Sequence, residues 1–156
     1  MDSNSFYKYL SNLLELYKGS IPVVMKKFNA INSDDIELLD KTIQVQQAFL
    51  LQTRGFEKKT NDFLEGLGLL GSTLGAVIPQ LPLEDQDKFY SLLGEFDYTL
   101  KEIQFLNEKC QTLLQAKLYV INSKMSHGEF SSESNFYSKS AKEVEKLKSN
   151  SFITRI

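Results

Sequence analysis

The chain has one cysteine, Cys110, and one histidine, His127, among its 156 residues. A lone cysteine cannot close an intramolecular disulfide, so no oxidising compartment is needed. Zinc requires three or four clustered Cys, His or carboxylate ligands. Cys110 and His127 lie 17 residues apart, a separation of ~25 Å along a helix. A hydrolytic triad needs a base beside its nucleophile, and the one histidine sits in a Ser/Gly-rich stretch, where it reads as an ordinary exposed side chain. The Glu-x-x-His signature of bundle di-metal sites is missing, as is a phosphate-cradling G-x-x-x-x-G-K loop. Gly66, Gly68 and Gly71 have no strand before them and no lysine after them, so they read as loop glycines. Acidic pairs such as Asp34-Asp35 read as helix caps, not as acid/base machinery. The expectation is a protein with no catalytic residues, no metal and no cofactor.

Charge bias is also absent. A formal net charge of −2 draws in neither nucleic acid nor an anionic membrane, and the longest basic runs are the pairs Lys26-Lys27 and Lys58-Lys59. The first ten residues lack a basic segment followed by an apolar one, so they do not read as a signal peptide. The most apolar stretch, 67–83, is broken by Gly68, Gly71, Gly75, Pro79 and Pro82, which argues against a membrane span. A cytoplasmic address with no membrane insertion is expected.

What the chain does have is helical periodicity. Phe6, Leu10, Leu13 and Tyr17 step by four, three and four, and the pattern resumes at Val24, Phe28 and Ile31. Between them Pro22 removes a backbone donor, which predicts either one kinked helix over about residues 3–30 or two short ones. Asn32-Ser33-Asp34-Asp35 reads as a helix start, with Asn32 or Ser33 as the cap and two carboxylates at the positive end. The next helix carries Ile36, Leu39, Ile43 and Leu50. A second row of Phe49, Phe56, Phe63 and Leu70 repeats every seven residues and keeps one seam facing a partner helix. Gly55 lowers helix propensity within that row without being expected to end the helix.

Residues 66–82 hold glycines and prolines at a density that predicts a connecting loop. Its leucines, Val77 and Ile78 predict that this loop packs over one end of a bundle. Pro82 then opens the clearest element, with Glu84, Asp85 and Asp87 in its first turns. Positions 89, 93, 96, 100, 103, 107, 110, 114, 117 and 121 alternate steps of four and three, with a parallel row at Leu92, Leu106, Leu113 and Val120. So wide a stripe serves two neighbours, as in a bundle, and ~40 helical residues span ~60 Å. Two polar residues, Asn107 and Lys117, interrupt it. They fix register or snorkel at the rim, or else they mark a half of the helix left open for a partner. The periodicity leaves both readings standing. Cys110, on the same stripe, reads as a small buried hydrophobe.

Beyond Ser126 the sequence turns Ser-rich, and Lys139–Lys148 has little to bury. The expected fold is therefore all-α: an antiparallel bundle of three to four long helices over 1–126, and a flexible C-terminal arm over 127–156 with a possible short helix.

Two blocks carry a resemblance. Residues 28–59, FNAINSDDIELLDKTIQVQQAFLLQTRGFEKK, and the region 92–125, above all LKEIQFLNEKCQTLLQAKLYVINSKM, resemble FlgN-type flagellar export chaperones. Leu106, Asn107, Glu108, Leu113 and Leu114 match that family's Leu-Asn-Glu-x-Asn-x-x-Leu-Leu pattern, while Cys110 stands where a second asparagine is common. The resemblance implies a non-enzymatic cytoplasmic chaperone that holds hook-filament junction (hook-associated) proteins before export and delivers them to an export gate component. Client capture is expected at a groove wall of Leu106, Cys110, Leu113, Leu114 and Tyr119, since an amphipathic helix can lie between bundle helices. The arm is expected to close over the client. Tyr137 is the candidate for export-gate docking, with Tyr119 as its rival. The alternative is a structural bundle that buries its wide stripe against a second copy, most simply as a homodimer.

Overall fold

In the computed structural model the described residues are 2–125, together with Lys139 and Lys142. They form α1 (Ser3–Asn32), α2 (Ile36–Gln52), α3 (Phe56–Gly66), α4 (Leu74–Val77), a 3-10 turn (Ile78–Gln80) and α5 (Leu83–Met125). No strand occurs among the described residues. Apart from Lys139 and Lys142, the expected arm, with Tyr137 and His127, lies outside them.

The long helices share one rule. In α1 the residues Phe6, Leu10, Leu13, Tyr17, Ser20, Val24, Lys27 and Ile31 are all buried, in unbroken steps of four and three. In α2 and α3 the same rhythm runs through Leu39, Thr42, Gln46, Thr53, Phe56, Thr60 and Phe63, with Phe49 half-buried between them. In α5 it runs through Phe89, Leu93, Phe96, Leu100, Asn107, Cys110 and Leu114, all buried, with Ile103, Lys117 and Ile121 half-buried. A mean period of 3.5 keeps such a seam toward the neighbouring helices.

One open alternative is decided and three local expectations change. Helix α1 runs through Pro22 without interruption, because apolar positions on both sides of the proline are anchored in cores. Between α2 and α3 the helix does break: α2 ends at Gln52, and Gly55, whose φ is 84°, stands directly before α3. A Cβ resists that left-handed conformation and glycine does not. The heptad phase survives the break, since Phe56 and Phe63 remain buried, but the row stops short of Leu70, which is exposed. The 66–82 connection is partly helical: Thr73 caps α4 by accepting from the Ala76 N–H. Finally, the cap of α2 is Asp35, whose carboxylate accepts from the Leu38 N–H at 2.9 Å. Ser33 instead donates back to the Asn29 carbonyl. Asp34 takes the left-handed position with φ 57°, and the Asp35 N–H reaches the Ala30 carbonyl while that of Asp34 reaches Ile31. This is the Schellman arrangement that closes a helix.

The chain divides into two compact units. The first, residues 2–20 and 48–102 of the described chain, has an aromatic core. Phe6 stacks on Phe63 with ring centroids 4.0 Å apart and also approaches Phe89. Tyr17 meets Phe49 and Phe96 edge-on. These pairs set directions: α1 runs antiparallel to α2–α3 and parallel to α5. Leu74, Val77, Ile78 and Leu81 from the connection are buried in this unit. Lys18 bridges to Glu95 at 2.7 Å, and Ser3 donates to Asp85 at 2.8 Å.

The second unit, residues 21–47 and 103–125 of the described chain, repeats the directions with different chemistry. Its core is Val24, Ala30, Ile31, Leu39, Ile43, Cys110 and Leu114. No aromatic ring is fully buried there; Phe28 is only partly so.

Candidate binding surface

The expected groove residues all fall on the second half of α5, within the second unit, but they do not share one exposure. Cys110 and Leu114 have no exposed surface and belong to the core. Leu106 and Leu113 are partly buried against that core, as are Leu118 and Ile121. Tyr119 is 75% exposed. Helix geometry accounts for this gradation: 110 and 114 lie on the inward stripe, 106 and 113 on its flank, and 119 on the outer face.

The outer face carries one further apolar side chain that the sequence reading did not single out, Phe105, and Val120 of the expected parallel row is exposed on the flank; both are about half exposed. Phe105 and Tyr119 are fourteen residues apart, close to four helical turns, so they lie in line. The Lys109 ammonium sits 4.5 Å from the centre of the Phe105 ring. Beside this line an open depression of about 430 Å³ is lined by Asp34, Ala116, Lys117, Val120, Ile121 and Lys124. Lys117 forms an ion pair with Asp34, which ties α5 to the turn after α1. Its lining combines the apolar Ala116, Val120 and Ile121 with the Lys117–Asp34 pair and the Lys124 ammonium.

The two polar interruptions of the α5 stripe are both used inside the unit. Lys117 holds Asp34. Asn107 accepts a hydrogen bond at 2.9 Å from Lys27, whose ammonium also donates to the Gln46 carbonyl oxygen at 2.7 Å. Lys27 is completely buried. Three helices thus each contribute one polar residue to a single internal layer: Lys27 from α1, Gln46 from α2 and Asn107 from α5. Its partners are neutral amides, and burial lowers the lysine from its ordinary 10.5 to about 8, opposed only weakly by the nearby Cys110 thiol. Burial in turn pushes the Cys110 thiol up. Every buried side-chain polar atom among the described residues has a partner.

Periodicity places Lys27 as well: it is half of the basic pair Lys26-Lys27, yet it sits three residues after Val24 and four before Ile31, on the inward seam.

Among the described residues no group of three or more His, Cys, Asp or Glu side chains could hold a metal ion. No helix among them is long and apolar enough to cross a membrane. No curated protein and no solved structure matches the sequence. A family model does: that of the FlgN protein, over residues 1–145. With nearly the whole chain matched and the helical hairpin architecture in place, this protein belongs to the FlgN family of flagellar export chaperones.

Proposed function

We propose that this protein is a cytoplasmic chaperone, without enzymatic activity, that binds helical segments of hook-filament junction proteins and delivers them to the export gate. The observation that carries the reading is the family match over residues 1–145. The exposed Phe105 and Tyr119 on the outer face, with Val120 on the flank in the row of Leu106 and Leu113, support a binding surface on the second half of α5. Leu106 and Leu113 form the flank of that surface, and Cys110 and Leu114 support it from beneath. An amphipathic client helix would bury apolar side chains along the line and lay its polar face outward. Tyr137, which lies outside the described residues, is proposed for the gate contact on sequence position alone.

Calorimetric titration with C-terminal helical peptides of the same organism's hook-filament junction proteins tests this. One-to-one binding at micromolar or tighter dissociation constants is the expected result. Absence of binding by every such peptide refutes it. The same exposed line favours one second reading, a homodimer that buries it against another copy. Light scattering that shows only monomer over a wide concentration range removes that alternative.

A further inference from the structure

The two units differ in what holds them closed. The first is locked by buried rings: Phe6, Tyr17, Phe56, Phe63, Phe89 and Phe96. Three of its buried hydroxyls turn back on their own chain, Ser20 to the Tyr17 carbonyl, Thr53 to Leu50 and Thr60 to Phe56. These three therefore ask nothing of the neighbouring helix. The second unit has a small aliphatic core with an amine through its middle. That amine is satisfied only by side chains from two other helices, Gln46 and Asn107. Removing a charge from water costs several kcal/mol, and a neutral amide returns less of it than a carboxylate would. The groups that face Lys27 are the Gln46 amide from α2 and the Asn107 amide and Cys110 thiol from α5. No carboxylate contributes among the described residues.

We infer that the second unit is a built-in opening element: α5 residues 103–125 separate from the α1–α2 hairpin at the Lys27–Gln46–Asn107 layer while the aromatic core of the first unit stays closed. Separation returns the ammonium to water and uncovers Val24, Ile31, Ile43, Cys110 and Leu114. Local opening of this kind draws on the least stable cooperative part of a fold.

Cys110 reports the opening directly. It is the only thiol, it lies in the core of the second unit, and closed it is fully covered. The experiment is labelling of the full chain with an aromatic disulfide reagent, at a series of urea concentrations below the unfolding transition. Labelling whose rate rises only weakly with urea is expected, because a local opening exposes little surface. Two variants sharpen the result. The apolar layer K27M/Q46L/N107L slows labelling by roughly tenfold or more, as replacing a buried ion by hydrophobes of similar volume stabilises closure. Phe63→Ala lowers global stability and leaves the labelling rate within about twofold. A labelling rate that follows the full urea dependence of global unfolding overturns the inference, using the unaltered protein alone. So does acceleration by Phe63→Ala in proportion to its loss of global stability.

Discussion

Lys27 should imprint itself on the pH dependence of stability. The group binds its proton with an affinity of about 8 in the fold against 10.5 in its ordinary state. Between those values the unfolded chain holds the proton and the folded chain has released it. Stability therefore rises with pH across that window. Below about pH 8 the folded protein carries the full penalty of a buried ammonium. Above 10.5 neither state is charged and the penalty is gone. Each pH unit of difference is worth ~1.4 kcal/mol, so the total is about 3 kcal/mol. The perturbation is Lys27→Met, which is unbranched, one atom shorter and of similar volume, and cannot titrate. The assay is urea unfolding of both proteins from pH 7 to pH 10.5, followed by helix signal, with the transition of the second unit fitted separately if it precedes the first. The absolute stability of Lys27→Met is not the readout, because Gln46 and Asn107 lose their donor in that variant. The readout is the difference between the two curves, in which tyrosines and surface lysines cancel. The unaltered protein should gain about 3 kcal/mol on the variant as pH rises through the window. Parallel curves would refute the reasoning, since they would mean that Lys27 keeps ordinary proton affinity and is not held in a dry layer.

The remaining predictions concern packing, backbone and function. Phe63→Ala removes the ring stacked on Phe6 and leaves a cavity in the first unit. Chemical denaturation should show a loss of ~3–5 kcal/mol. Gly55→Ala and Gly94→Ala should shift thermal unfolding in opposite directions. Gly55 has a φ of 84°, where a Cβ costs ~1–2 kcal/mol. Gly94 lies within α5 with nothing within 4 Å of an added Cβ, so alanine there should stabilise by ~0.5–1 kcal/mol. Tyr119→Ala, at an exposed position, should weaken client-peptide binding by roughly tenfold or more in calorimetry while unfolding changes by under ~0.5 kcal/mol.

How far the sequence could be read depended on the range of the interaction involved. Helix α5 was legible almost residue by residue, because a stripe at 3.5-residue spacing over forty positions has one geometric solution. The start of α5 after Pro82 was equally plain, since its signals lie within one turn. Pro22 left one kinked helix or two short ones open, because a missing donor is a local fact. Its tolerance inside α1 comes from burial on both sides of it. Gly55 was misjudged in the opposite sense: propensity gives a cost for glycine in a helix, but only the backbone's actual turn to positive φ shows that the helix breaks there.

The candidate binding surface divides in the same way. That α5 carries more apolar residues than one seam needs is written in its sequence. Which of them are covered was decided by packing: Cys110 and Leu114 went to the core, and Phe105, Tyr119 and Val120 stayed outside. The sequence showed Asn107 and Lys117 as interruptions without their partners. Asn107 meets Lys27 across 80 positions of chain, and Lys117 meets Asp34 across 83. No local spacing encodes such a meeting. By itself the sequence determined the helices, their inward faces and the absence of a bias toward nucleic acid, because these follow from periodicity and composition. Only the tertiary structure decided that one lysine would be enclosed by three helices, because burial is a property of what packs around a residue and not of the residue.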